Sequence, residues 1–267
     1  MELNFVFDLD GTICFKGKPV SENILQALEK VQEYGHRIIF ASARPIRDML
    51  PVLPTRFHSY TMIGGNGSLI AEQGKLTHKT AFSEHHRNVI KQLIGIQNAS
   101  YLIDGQWDYS YTGPVDHPIL NKVDPGKLAK NIPVELHPAV VKALILSADD
   151  MTMFAQELEK LDVVIHRHAK ENVLDISPKS INKHTALRTL EIEEYIAFGN
   201  DANDIQLFEN AMHSVMIGHH TELAAYAKEE IPLTGDYEMI IAERIVELGR
   251  EHEQGVKPPA ILERTLK

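Results

Sequence analysis

The sequence predicts an α/β protein: a doubly wound parallel sheet core interrupted by an inserted α+β unit. Three observations predict it. From Leu3 to Ile63, apolar strand-like runs alternate with helical patterns, and each run ends in polar or glycine-rich residues. From 81 to 178 that rhythm is lost. From Ile181 onward it resumes.

Leu3 to Phe7 is a short, bulky, apolar run that ends in Asp8-Leu9-Asp10-Gly11, which reads as a buried strand followed by a loop. A helix follows, with Ser21 placed as N-cap, Ile24, Leu25, Leu28 and Val31 at helical spacing, and Gly35 at the C-cap. Ile38 to Ala41 is a second strand, ending in Ser42-Ala43-Arg44. Tyr60 to Ile63 is a third, ending in Gly64-Gly65-Asn66-Gly67. All three polar motifs fall beyond the carboxyl ends of strands, where open α/β sheets bind their ligands. In the middle block, Val140 to Leu146 and Val163 to His168 read as strands, and Leu128-Ala129 and Met153 to Leu161 as helical. Trp107, Tyr109 and Tyr111 alternate with Asp108 and Ser110, which is strand spacing. The aromatic stripe is expected to pack, so that Asp108 and Ser110 look towards the site. After Ile181, His184 to Leu190 is a helix, and Tyr195 to Phe198 is a strand ending in Gly199-Asn200-Asp201-Ala202-Asn203-Asp204. Ile205 to Ala211 (helix), Ser214 to Gly218 (strand) and Glu238 to Gly249 (amphipathic helix) complete the pattern. The expected division is a discontinuous core, 1–80 and 179–267, with an insert at 81–178.

Composition narrows the function. The chain of 267 residues carries 27 Lys and Arg against 37 Asp and Glu, a net charge of −10 that concentrates after residue 179. Nucleic-acid-binding domains carry the opposite balance, so nucleic acid and anionic membranes are not expected partners. One cysteine, Cys14, rules out an intrachain disulfide and fits a reducing compartment. No apolar run approaches the roughly 18 residues that span a bilayer, and Met1 to Phe7 reads as a strand rather than a signal peptide. A cytoplasmic protein is expected. No oligomeric state can be read from the sequence.

Asp8 and Asp10 stand one residue apart at the end of a buried strand, where two acids are costly without a cation. Asp201 and Asp204 end another strand. Two such clusters at one sheet edge make a Mg²⁺ site, since this ion takes hard oxygens from one or two carboxylates and a substrate phosphate. Taken singly, such acids also serve as helix or turn caps. A carboxylate can act as a nucleophile towards phosphorus, with Mg²⁺, a lysine and hydroxyl or N–H donors neutralising the equatorial oxygens. Ser42 and Lys183 are donors of the right type.

Together these residues are recognisable. Asp8-Leu9-Asp10-Gly11-Thr12 resembles the first motif of the haloacid dehalogenase superfamily, and Ser42-Ala43-Arg44 its second, usually written Thr/Ser-Gly-Arg. Ile176 to Leu187 resembles the third-motif region, whose lysine, here Lys183, precedes a helix. Gly199 to Asp204 resembles the fourth, acidic motif. The position of the insert resembles a type II cap, and Ile63 to Ile70 resembles the Asn-Gly segment of the Cof-like sugar phosphatase group, subfamily IIB. The resemblance implies a Rossmann-like core, an inserted α+β cap domain, and a Mg²⁺-dependent phosphatase acting on a small phosphorylated metabolite.

The roles implied by resemblance fall on this chain as follows. Asp8 attacks phosphorus and becomes an aspartyl-phosphate. Asp10 protonates the leaving oxygen, then activates water, and its main-chain carbonyl binds the metal. Leu9, Ser42, Ala43, Lys183 and Asn203 hold the phosphate, and Lys183 neutralises it. Thr12 supports the first loop. Asp8, Asp10, Asn200, Asp201 and Asp204 are the candidate Mg²⁺ ligands, and Arg44 and Asn66 are candidate substrate contacts. Two departures matter: Ala43 stands where glycine is common, and Asn200 where a metal-binding aspartate stands. The choice among Asn200, Asp201 and Asp204 as direct ligand stays open. A phosphosugar mutase, and a catalytically impaired regulator that binds a phosphorylated metabolite, are the alternatives. Sugar phosphates, pyridoxal phosphate and flavin mononucleotide are all compatible as substrates.

The remaining polar features read as structural. Of the 14 histidines, the His85-His86 and His219-His220 pairs are expected at the surface, and His166 and His168 share a strand face from which one could meet a ligand. Arg47, three residues after Arg44, reads as a solvated helix residue. Cys14 reads as a small packing residue.

Overall fold

The computed structural model describes residues 2–168 and 172–253. Met1, residues 169–171 and residues 254–267 of the expected core lie outside the described residues, as does the His168 side chain. The elements in chain order are β1 (Asn4–Phe7), α1 (Glu22–Glu33), β2 (Arg37–Ala41), α2 (Ile46–Met49), β3 (Thr61–Gly64), β4 (Leu69–Glu72) and β5 (Lys75–Lys79). Next come α3 (Glu84–Ile96), β6 (Ser100–Gly105), β7 (Tyr109–Tyr111), β8 (Val140–Ser147), α4 (Met151–Leu158), β9 (Val163–His168) and β10 (Val173–Pro178). The chain closes with α5 (Lys183–Thr189), β11 (Tyr195–Gly199), α6 (Ile205–Glu209), β12 (His213–Ile217), β13 (Glu229–Ile231) and α7 (Tyr237–Glu251).

The first sheet runs β13-β12-β11-β1-β2-β3-β4-β5. Its pairs from β13 to β3 are parallel, and the β4–β5 hairpin adds an antiparallel edge. Strand alternation sorts the apolar residues onto two faces. Phe5, Phe7, Phe40 and Phe198 pack with Leu28 of α1 and Ile245 of α7. Val6, Ile39, Ala197 and Met216 pack with Leu187 of α5 and Phe208 of α6. Both faces are covered, so the central strands read as continuous apolar runs. This is the doubly wound α/β sheet that the sequence predicts.

The second sheet, β7-β6-β8-β10-β9, is antiparallel throughout. Ile103, Ala143, Ile145, Leu174 and Ile176 point to one face, where Phe154 of α4 and Ile90 of α3 cover them. The opposite face carries Leu102 and Asp104 of β6, Lys142 and Leu144 of β8, and Val173 and Asp175 of β10 (their alternation partners), and these line a cavity against the first sheet's loops. Leu102 pairs with Leu144, Asp104 with Lys142, and Asp175 with Leu144.

Three local expectations change. Leu128-Ala129 is not helical: Asp124 accepts hydrogen bonds from both backbone N–H groups, and that Asp turn competes with a helix. Asp108 accepts from the Lys130 N–H, and Ser110 donates to the Ile132 carbonyl, so both fix the edge of the second sheet and neither lines the site. Arg47 is not solvated but 1 % exposed. Its guanidinium donates to Asp104 (2.5 Å) and to the Trp107 carbonyl (2.8 Å), and it lies 5.1 Å from the Tyr109 ring centroid. Among the described residues, no helix is long and apolar enough to cross a membrane.

Candidate active site

The carboxyl ends of β1, β2 and β11 and the start of α5 converge on a cavity of about 370 Å³. Asp8 follows β1 directly and its N–H is tied to the Phe198 carbonyl of β11 (2.9 Å). Its side chain is buried. Lys183, also fully buried, donates to Asp8 Oδ1 (2.6 Å) and to Asp204 Oδ1 (2.7 Å). Burial first, and then the Asp204 charge, push the Asp8 carboxyl up to about 7, against the pull of Lys183. Burial opposes the Lys183 charge, but the two carboxylates outweigh it and raise its pKa.

Asp204 is fully committed. Its second oxygen, Oδ2, accepts the N–H groups of Asn200 (2.9 Å) and Asp201 (3.3 Å). That closes the turn after β11. The Thr12 hydroxyl lies within hydrogen-bond reach of Asp8 Oδ2 (3.0 Å) and Asn200 Oδ1 (3.3 Å), so both acceptors face one point. Gly11 adopts φ +83°, and a Cβ there would collide with the Asn200 amide. Glycine is required both for the turn and for this approach. Asp201 lies on the cavity wall, where it accepts from the Ala202 N–H (2.7 Å) and approaches His220 (3.4 Å).

The second loop follows β2. Ser42 Oγ accepts the Arg44 N–H (3.1 Å), which leaves its own proton to be donated into the cavity. Ala43 lines the cavity, and its carbonyl accepts from Lys142 (3.2 Å). Arg44 grips Asp10 with two bonds, Nε to Oδ2 (2.6 Å) and NH2 to Oδ1 (2.5 Å), at the cavity mouth. Such bidentate pairs add geometric specificity to charge. The Leu9 carbonyl accepts from the N–H groups of Thr12, Ile13 and Cys14, which rolls the first loop into a tight turn. Cys14 is buried under that loop, and burial pushes its thiol up to about 11.

Asn66 and Asn203 meet across the cavity, Nδ2 of Asn203 donating to Oδ1 of Asn66 (3.2 Å). Asn66 adopts φ +58°, and the next residue, Gly67, sits against the Asn182 carbonyl, the N-cap of α5. The loop after β3 thereby braces the helix that presents Lys183. The second sheet contributes His166, Arg167 and Asp175 to the same cavity. Asp175 pairs with Lys142 (2.9 Å), both buried.

Of the twelve residues nominated for catalysis or for binding phosphate, metal or substrate, all but Leu9, Arg44, Lys183 and Asp204 line this cavity, and those four support it from behind or beside. The sequence reading missed Lys142, Asp175 and Arg47. The signal for the first two was present: single charges interrupting the apolar strands Val140–Ser147 and Val173–Pro178. His220 and His166, expected as surface residues or a bare ligand candidate, stand at the cavity wall.

Among the described residues, no three His, Cys, Asp or Glu side chains converge as a metal cluster. The donors that do converge are one carboxylate, Asp8, and one amide oxygen, Asn200 Oδ1, with the Asp10 main chain in the same turn. An all-oxygen set with few carboxylates suits Mg²⁺, which keeps several waters and takes substrate phosphate oxygens. The residues therefore fit the ion.

Residues 5–236 match the family described as haloacid dehalogenase-like hydrolase. The chain is 23 % identical to the HMP-PP phosphatase of Yersinia enterocolitica, over 94 % of this chain and 91 % of that one. It is also 23 % identical to the 5-amino-6-(5-phospho-D-ribitylamino)uracil phosphatase of Bacillus subtilis, over 79 % and 85 %. Among solved structures, a sugar phosphatase of HAD subclass IIB superposes with a TM-score of 0.71 at 18 % identity, covering 94 % of this chain and 98 % of that one.

Proposed function

The chain belongs to the haloacid dehalogenase-like hydrolase family and is a phosphatase by class, and on that premise we propose that it hydrolyses a small phosphomonoester through an aspartyl-phosphate on Asp8. The observation that carries the reading is Lys183 bridging Asp8 and Asp204, buried directly behind the cavity wall. It holds the nucleophile in place and supplies positive charge where phosphate oxygens must sit.

The substrate phosphate enters between Asp8, the Ser42 hydroxyl and the Asn203 amide. The Asp8 carboxylate, the Asp10 carbonyl and Asn200, with Asp201 close by, would hold Mg²⁺, which would supply charge neutralisation to the phosphoryl oxygens. Asp8 attacks phosphorus. Asp10, swung from its Arg44 clamp, gives a proton to the leaving oxygen and later takes one from the attacking water. Arg44 positions Asp10 and Thr12 orients Asp8. Asp204 acts on Lys183 and on the Asn200 turn rather than on the ion. Residues 81–178 act as the cap: they roof the cavity, exclude water and select the leaving group, while 1–80 and 179–267 form the core. The acidic balance and the lone cysteine support a cytoplasmic enzyme of small metabolites.

The test is phosphate release from a metabolite panel with Mg²⁺. Wild type should turn over, and Asp8→Asn should lose activity by at least about 10³-fold, because the covalent path is removed. Full activity in Asp8→Asn would overturn the reading. Asn200 is the one feature that favours a binding protein without turnover, and calorimetric binding of phosphate esters without release would favour that second reading.

A further inference from the structure

A second cavity, of about 490 Å³, adjoins the phosphate site. Ala43 and Asp175 line both, so the two chambers meet beside the Lys142–Asp175 pair. The roof of the second chamber is the open face of the insert sheet, with Leu102, Leu144 and Val173 side by side. Ile119 and Val123 close its wall, and Pro45 its floor.

Its inward charges are already committed. Lys142 binds Asp175 and the Ala43 carbonyl, and Arg44 binds Asp10 and the Asp48 carbonyl. Asp104 binds Arg47, and Asp48 binds Arg47 and the Asp124 N–H. His117 accepts the Ile119 N–H, and Lys122 stands exposed at the rim. What the chamber offers a guest is thus aliphatic surface over most of its area. Its volume is about three times that of a cavity that takes one benzene ring (~150 Å³).

We propose that this chamber holds the leaving group of the substrate, and that it selects a flat, apolar-faced ring system, aromatic or heteroaromatic, over a polyol. The proposal rests on the phosphatase reading for the position of the phosphate. The physical reason is desolvation. A hexose would turn several hydroxyls towards Leu102, Leu144, Val173, Ile119 and Val123, and each hydroxyl left without a partner costs roughly tenfold in affinity. A fused ring pair buries its faces on the same residues with no such loss and fills the space.

The experiment compares primary alkyl esters of similar leaving-group basicity: 2-naphthylmethyl phosphate, glucose 6-phosphate and glycerol 3-phosphate. Binding to Asp8→Asn protein is measured by calorimetry, and turnover by wild type as kcat/KM. The naphthylmethyl ester should bind at least about 30-fold more tightly than glucose 6-phosphate, and Leu144→Gln should shrink that ratio about tenfold. Val173→Thr, nearly isosteric, repeats the comparison if Leu144→Gln folds poorly. Equal or tighter binding of glucose 6-phosphate, or a ratio that neither substitution moves, would overturn the proposal. Preferential binding without wild-type turnover would instead remove the phosphatase reading and leave the chamber assignment standing.

Discussion

Lys183 is the residue on which the site's electrostatics turn. It is fully buried, and its charge is stable only because Asp8 and Asp204 flank it. Removing one partner of a buried pair leaves the other uncompensated, at a cost of ~3–5 kcal/mol. Lys183→Met should therefore lower the unfolding free energy by about that amount in urea titrations and abolish turnover. Asp48 offers a second test at this scale. Burial first, and then Asp104, raise its carboxyl from 3.8 to about 6 against the pull of Arg47. The folded state thus keeps the proton in a window where the unfolded state has lost it. The Asp48 contribution to stability is full below about 4 and lost as pH rises through about 6. In Asp48→Asn that loss is absent, so wild type should weaken relative to the variant between those two pH values, as read from urea midpoints. Lys183 was legible because it precedes a helix in motif order. Arg47 was not, because its partner Asp104 lies 57 residues away on the second sheet, and an arginine three residues after Arg44 carries the same local pattern whether solvated or buried.

At the scale of elements, the site is an edge property. The ends of β1, β2 and β11 supply Asp8, Ser42 and Asn200, and the loop after β3 braces α5. Gly67 makes that brace possible: it sits at φ +115°, and a Cβ would strike the Asn182 backbone. Gly67→Ala should cost ~1–3 kcal/mol in thermal unfolding and lower kcat more than KM, since Lys183 is displaced with α5. The parallel strands β1, β2, β3, β11 and β12 were legible to within about two residues because bulky apolar runs end in turn chemistry, whereas the β4–β5 hairpin and β13 at the sheet's edges were not read. The insert was less legible. Residues 112–131 hold their shape through Asp124, Asp108 and Asn131 bonding to backbone, which leaves no periodic signal. The charges within β8 and β10 could have been read as a cavity face, because period-two spacing placed Lys142 and Asp175 opposite the apolar residues that pack on α3 and α4.

For the whole molecule, a net charge of −10 and a phosphate substrate have to be reconciled. Lys183, Arg44, Lys142 and Arg167 are cations at the junction of core and insert, and each is already paired with a carboxylate. Neutralising a bound phosphoryl group is thus expected to need the proposed Mg²⁺ beside Lys183, whereas the fold is expected to stand without the ion. Chelation should stop phosphate release while shifting Tm by no more than about 2–4 °C, the equivalent of ~1 kcal/mol for a chain of this size. The central claim is that phosphate passes through Asp8. Its most direct measurement is an acid-quenched single turnover with a radiolabelled phosphate ester, followed by peptide mapping. The expected result is label on the peptide containing Asp8, released by hydroxylamine and absent in Asp8→Asn. Stoichiometric phosphate release with no label on that peptide, and the same rate in Asp8→Asn, would contradict it.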